Sequence, residues 1–141
     1  MFHGILKKYD EKGSFIFNRE DDLRNKCNAP NDKSGVYLIY NNDTNELIDI
    51  GRSGEINADG TMLIRQTGMG GIKDRLVNGK QFGAPRHHSW PRKMREEGIK
   101  SLRIEWYITH NKSFADCPKE VKNQLLTKYQ QIMGNTPHWH S

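Results

Sequence analysis

Basic side chains are concentrated in the middle third of this 141-residue chain, whose formal net charge is +5. Between Met62 and Arg103 there are ten lysines and arginines and three acidic residues, a net charge of +7, whereas the rest of the chain is at −2. The same segment contains Trp90, His87 and His88. A cationic segment that also carries aromatic side chains favours binding to a polyanion, so we expect contact with nucleic acid. The alternative is that this charge run is only a solvated face.

Histidine and cysteine follow no familiar metal-binding spacing. Cys27 and Cys117 fit neither a disulfide framework nor a C-x-x-C site, and we expect both to be reduced thiols. The His87–His88 pair and the segment His138-Trp139-His140 lack an accompanying cysteine or carboxylate framework, so we interpret their histidines as surface residues. The sequence has no apolar run of about 20 residues and no apolar core of a secretion signal. We therefore expect a cytoplasmic protein with no membrane partner.

Three strands are predicted to position the remaining polar residues. Residues 36–40 alternate between two partly covered faces, residues 41–45 form a polar turn, and residues 47–50 return antiparallel to the first strand. Residues 102–108 alternate clearly and form the third strand. Residues 14–18 are a further short strand candidate, within an N-terminal extension (residues 1–34) that packs on the domain.

Four helical segments are predicted around these strands. Residues 19–27 are weakly helical after an Asn18 cap, residues 72–77 end at Asn78-Gly79, and residues 89–97 tolerate a proline in their first turn. The strongest helix is Pro118–Met133. Its predicted apolar stripe is Val121, Leu125, Tyr129, Ile132 and Met133. Residues 54–71 are glycine-rich and are expected to form a mobile loop. The sum is an α+β domain: a small three-stranded, mostly antiparallel sheet flanked by helices.

The order of five short motifs resembles the GIY-YIG nuclease superfamily. Gly35-Val36-Tyr37 matches the first motif, Asp49-Ile50-Gly51-Arg52 matches the second, and Arg75 matches the arginine of the following helix. The segment from Lys122 to Leu126 falls where that family carries its metal-binding glutamate, and Pro137 to His140 falls at its terminal Pro-x-x-Asn motif. The resemblance implies a GIY-YIG-like domain over residues 35–141.

The resemblance also implies a chemistry, the hydrolysis of DNA phosphodiesters with one divalent cation, Mg²⁺ or Mn²⁺. In that reaction Tyr37 would lie near the nucleophile and Arg75 would bind the phosphate, for which a guanidinium offers a fixed fork of donors. Arg52 would add positive charge beside it. The resemblance therefore favours DNA over RNA as the partner.

The sequence departs from the family pattern at four positions. Asp49 replaces the second tyrosine, Gly79 a common histidine, Lys122 the glutamate and His140 the final asparagine. An ammonium group does not ligate Mg²⁺ or Mn²⁺, which prefer oxygen ligands. Asp49 is the alternative metal ligand, and Lys122 is an alternative direct contact to phosphate.

Three functions remain open from the sequence. The first is a metal-dependent endonuclease of impaired activity, with Tyr37, Arg75 and Asp49 as its catalytic residues. The second is a catalytically inactive nucleic-acid-binding module of the same fold, which needs no metal cofactor, and the third is a protein-interaction domain. The predicted nucleic-acid contacts are Arg52, Lys73, Lys80, Arg86, Arg92, Lys93 and Lys122.

Overall fold

The computed structural model describes residues 1–65 and 70–140. The helices and strands in these ranges are, in chain order, α1 His3–Leu6, β1 Lys12–Asn18, α2 Leu23–Lys26, β2 Gly35–Asn41, β3 Glu46–Ser53, β4 Glu55–Ile56, β5 Met62–Leu63, α3 Gly71–Asn78, β6 Lys80–Gln81, β7 Ala84–Pro85, α4 Arg86–Glu97, β8 Ser101–Ile108 and α5 Pro118–Met133. They confirm the α+β class. Among the described residues, no helix is both long and apolar enough to cross a membrane.

The main sheet has four strands, in the order β1-β8-β2-β3, and every neighbouring pair is antiparallel. The prediction of three strands was therefore wrong. Strand β1 joins the sheet by pairing with β8 along its whole length, from Lys12 opposite Tyr107 to Asn18 opposite Ser101. Its buried Phe15 and Phe17 complete an apolar surface that the three other strands would leave open at that edge.

Helices cover both faces of the sheet, so the predicted alternation of residues 36–40 is confirmed. Tyr37 and Ile39 point into a core shared with α3 and α4. Val36 and Leu38 point into a second core shared with α1 and α5. The N-terminal segment contributes to both cores, because α1 packs with the second and α2 with the first.

Several element boundaries differ from the sequence-based expectations. Helix α2 is a single turn capped by Asp22, whose side chain accepts a bond from the Arg24 amide, rather than a longer helix capped by Asn18. Helix α4 begins at Arg86 instead of Ser89. Ile132 and Met133 are exposed, because the last turn of α5 extends beyond the core that the helix covers.

The predicted glycine-rich loop contains a short hairpin, β4 paired with β5. Residues 66–69 of that loop lie outside the described residues. Trp90 and Trp106 are both buried in the core.

Candidate functional site

A cleft of about 650 Å³ lies beside the edge strand β3. The strand contributes residues 49–53, α5 contributes Lys122, and α3 contributes Arg75. The region of the β4–β5 hairpin, the hairpin formed by β6 and β7, the start of α4 and the C-terminal segment also contribute to the lining. The charged side chains at this cleft are Asp49, Arg52, Glu55, Arg65, Arg75, Lys80, Arg86 and Lys122.

Tyr37 lies beneath this cleft and is completely buried. It is paired with Gly51 on β3, and a Cβ atom at position 51 would overlap the Tyr37 ring and hydroxyl. The guanidinium of Arg86 lies 5.7 Å from the ring centroid on the α4 side. The Tyr37 hydroxyl has no hydrogen-bond partner within residues 1–65 and 70–140. A buried hydroxyl without a partner is costly, and an anionic acceptor would relieve that cost.

Asp49 lies on the same side of the sheet as Tyr37, next to a β-bulge in β3. Ile39 is paired with Asp49, whereas its neighbour Tyr40 is paired with Leu47, so Ile48 is an extra residue in β3. Ile48 joins the core beneath α3 and α4. Asp49 shares a face with its partner Ile39, because directly opposed residues project to the same side.

Both carboxylate oxygens of Asp49 have protein partners. Oδ1 accepts a bond from the Ile50 amide at 2.9 Å, and Oδ2 accepts one from Nε2 of Gln81 at 2.9 Å. Nδ1 of His140 lies 3.6 Å from Oδ1. Asp49 is only 5% exposed, so its carboxylate is buried where it lines the cleft.

The side-chain amide of Gln81 connects four elements of the site. Its oxygen accepts bonds from Trp90 Nε1 at 2.8 Å and Arg86 Nε at 3.2 Å. Its nitrogen donates to Asp49 and to the Trp139 carbonyl, the latter at 3.3 Å. Since an amide has one acceptor end and one donor end, these bonds fix both its position and its orientation.

The C-terminal segment is held against the sheet by Trp139. The Trp139 amide donates to the carbonyl of the bulged Ile48 at 2.7 Å, and its indole packs edge-on against Phe82 at 5.1 Å. Glu97 accepts from the indole nitrogen at 3.1 Å and lies 3.0 Å from His138. These contacts place His140 in the cleft, so the interpretation of this segment as surface holds for the exposed His138 only.

Three guanidinium groups are held in place by neutral or acidic partners. Arg86 donates to the Arg75 carbonyl at 2.8 Å, and Arg52 donates to the Gly54 carbonyl at 3.1 Å. Arg65 forms an ion pair with the fully buried Asp74. Nε of Arg75 is buried and has no partner within the described part of the chain.

Lys122 extends from α5 into this cationic surrounding. Burial lowers the pKa of its ammonium, the Asp49 carboxylate opposes that change, and the nearby Arg52, Arg75 and Arg86 lower the pKa further. The ammonium is thus partly desolvated among like charges, with one carboxylate to offset them. Binding of an anion would stabilise its charged form.

The donor set does not fit the divalent metal that the nuclease resemblance implies. Asp49 and His140 are two neighbouring side chains of types that can ligate a metal. No group of three histidine, cysteine or acidic side chains suited to a metal occurs within residues 1–65 and 70–140. Mg²⁺ and Mn²⁺ favour several oxygen ligands. Here one carboxylate is already engaged twice, and the position of the family glutamate carries a positive charge.

The structure brings together seven of the ten predicted site residues. Those that line the cleft are Tyr37, Asp49, Arg52, Arg75, Lys80, Arg86 and Lys122. Lys73, Arg92 and Lys93 do not line it. Arg92 donates to the Phe82 carbonyl, and Lys93 lies 3.3 Å from Glu97 on its own helix.

Arg65, Gln81 and Trp139 were missed as site residues. Gln81 carries no sequence signal, since its role depends on partners that are distant in the sequence. Arg65 lies in the basic segment and Trp139 lies within the matched terminal motif. The sequence therefore indicated their region but not their role in the site.

Comparisons of the chain with protein-family models, with curated proteins and with solved structures found no match.

Proposed function

We propose that this protein binds the phosphates of a nucleic acid in the cleft beside β3, without a metal ion. The observation that carries the proposal is the position of Lys122, whose ammonium lies among the guanidinium groups of Arg52, Arg75 and Arg86. Lys122 occupies the sequence position at which the resembled nucleases have their metal-binding glutamate. An ammonium at that position replaces the charge of the metal ion and can contact a phosphate oxygen directly.

The charge balance of the cleft supports an anionic ligand. Six lysine and arginine side chains line it, against the carboxylates of Asp49 and Glu55. A phosphate would offset this excess and accept hydrogen bonds from the side chains of Arg75 and Lys122, which line the cleft. The +7 segment beyond the cleft would attract the rest of a polyanionic strand.

The order of the motifs supports a nucleic acid over other phosphorylated ligands. Tyr37, Asp49, Arg75, Lys122 and His140 come from five separated motif positions and lie around one cleft. The same five positions form the phosphodiester site in the nuclease superfamily that the sequence resembles. Positions that match the nuclease motifs and positions that depart from them are expected to lie at one site if the fold and its ligand are retained while the metal is lost.

The direct test is the affinity for labelled DNA and RNA oligonucleotides in buffer containing EDTA. We expect binding that weakens steeply with salt, because phosphate contacts release counterions. Lys122→Ala and Arg75→Ala should each weaken binding by about 10- to 100-fold, since a charge-assisted hydrogen bond contributes roughly 1.5–3 kcal/mol. Lys128→Ala, an exposed position on the same helix, is the matched control and should bind normally.

Two results would overturn the proposal. One is the absence of binding to either nucleic acid at low salt, which would favour a protein-interaction domain. The other is equal loss of affinity in Lys122→Ala and Lys128→Ala, which would mean that overall charge, rather than this cleft, determines binding.

A metal-dependent endonuclease is the second candidate function. It is favoured by Tyr37 and Arg75, which retain the residue types expected for nuclease chemistry, and by the Asp49 carboxylate beside them. Cleavage of DNA that appears with Mn²⁺ or Mg²⁺, disappears with chelator and is lost in Tyr37→Phe would establish this function in place of binding alone. Lys122→Glu should then increase the cleavage, since it restores an oxygen ligand.

A further inference from the structure

We infer that the cleft also cleaves bound RNA, through attack of the ribose 2′-hydroxyl on the adjacent phosphorus with His140 as the general base. This inference rests on the proposed phosphate binding and extends it to one substrate class and one reaction. Its structural basis is the pairing of His140 with Asp49 inside the same cleft that holds Lys122.

The His140 imidazole lies beside Asp49. Its Nδ1 is 3.6 Å from Oδ1 of the carboxylate. The carboxylate is itself fixed by Ile50 and Gln81. A carboxylate at Nδ1 favours the tautomer in which that nitrogen carries the proton, so Nε2 is left as the basic nitrogen.

The donor set of the cleft favours RNA over DNA as a substrate. Hydrolysis of DNA requires an external water to be activated, a task that a metal ion commonly performs, and Asp49 and His140 do not form a suitable metal site. RNA supplies its own nucleophile, because the 2′-hydroxyl lies next to the phosphorus that it attacks. Such a reaction needs a base, an acid and positive charge on the phosphoryl oxygens.

The cleft contains a residue for each of these three roles. Nε2 of His140 takes the 2′-hydroxyl proton while the 2′-oxygen forms a bond to phosphorus and the bond from phosphorus to the 5′-oxygen breaks. Lys122 gives a proton to the departing 5′-oxygen, and Arg75 stabilises the charge on the phosphoryl oxygens. The products are a 2′,3′-cyclic phosphate and a 5′-hydroxyl, and solvent returns His140 and Lys122 to their starting states.

The surroundings of Lys122 suit it to donate this proton. Burial and three nearby guanidinium groups lower its pKa, so its ammonium releases a proton more readily than an exposed lysine does. Lys122→Arg keeps the positive charge but removes the acid, since a guanidinium does not deprotonate in proteins.

The experiment compares three single-stranded substrates of one sequence in EDTA: RNA, DNA, and RNA with a single 2′-deoxynucleotide at the main cleavage position. We expect cleavage of the RNA to products with cyclic phosphate and 5′-hydroxyl ends, binding without cleavage of the DNA, and no cut at the deoxy position. His140→Ala should lower the rate by about 10²- to 10⁴-fold. His3→Ala, an exposed histidine purified in the same way, should cleave at the normal rate.

Lys122→Arg separates the acid from the positive charge, because it should retain RNA binding and lose most of the cleavage rate. His140→Asn provides a second base-free variant if His140→Ala melts at a lower temperature than the wild type. The inference is overturned, with the proposed binding intact, if RNA is bound but stays whole, if cleavage needs a metal, or if products carry 5′-phosphates. If RNA and DNA both fail to bind, the proposed function and this inference fail together.

Discussion

Replacing Gln81 by leucine should destabilise the protein strongly, although leucine is similar in size. The amide oxygen of Gln81 accepts from the indole of Trp90 and from Nε of Arg86, and both of these residues are buried. The amide nitrogen donates to Asp49 and to the Trp139 carbonyl. Leucine fills the space but offers neither an acceptor nor a donor.

The expected loss follows from the two donors that remain without an acceptor. A buried neutral donor such as the Trp90 indole costs about 1–3 kcal/mol when its acceptor is removed, and a charged donor such as Arg86 costs more. Arg86 keeps its bond to the Arg75 carbonyl, which limits its share. We therefore expect a loss of about 4 kcal/mol in the free energy of unfolding, or a fall in Tm of roughly 10–15 °C for a chain of this size.

The assay is urea denaturation followed by tryptophan fluorescence, with the Tm measured separately by circular dichroism. Gln130→Leu, an exposed position on α5, is the matched control and should change the free energy of unfolding by less than about 0.5 kcal/mol. A loss below about 1 kcal/mol in Gln81→Leu would refute the reasoning, because it would mean that Gln81 does not satisfy these buried donors.

Three further predictions concern the packing around the cleft and the two thiols. Gly51→Ala should lower the free energy of unfolding by about 1–3 kcal/mol in urea denaturation, because the added methyl group overlaps the Tyr37 ring. Trp139→Ala should lower it by about 3–5 kcal/mol in the same assay, because it removes a buried indole between the sheet and Phe82. Iodoacetamide at pH 8 should alkylate Cys117 well before Cys27, as measured by mass spectrometry, because burial raises the pKa of the Cys27 thiol to about 11.

Each of these three expectations has a contrary result. A Gly51→Ala protein as stable as the wild type would show that the Tyr37 ring does not lie across position 51. A loss below about 1 kcal/mol in Trp139→Ala would show that the C-terminal segment does not cover the core. Equal alkylation rates for Cys27 and Cys117 would contradict the burial of Cys27.

The strands and the longest helix could be predicted because each follows a local pattern. Apolar runs on either side of a polar turn located β2 and β3, and alternation of apolar and polar residues located β8. A spacing of four placed Val121, Leu125 and Tyr129 on one face of α5. The fourth strand was missed as a sheet member, since the pairing partner of a short strand is not encoded near it in the sequence. Phe15 and Phe17 pack with residues of β8 almost 90 positions away.

The charges of the candidate site and the order of its motifs could be predicted from the sequence. The hydrogen bonds that hold its residues together could not. The sequence order linked Tyr37, Asp49 and Lys122, and the structure places all three at one cleft. The bulge at Ile48, whose carbonyl accepts a hydrogen bond from the Trp139 amide, leaves no signal in single residue types. Gln81 contacts the Trp139 carbonyl across 58 positions of sequence, and such long-range contacts become visible only in the folded chain.

The central claim is that Lys122 binds phosphate in place of a metal ion. The most direct measurement is the dissociation constant of one labelled oligonucleotide, determined for wild type and Lys122→Glu in EDTA and again in Mn²⁺. We predict equal wild-type affinity in the two buffers and a Lys122→Glu protein that binds poorly in EDTA but regains affinity in Mn²⁺. Wild-type binding that disappears in EDTA would contradict it.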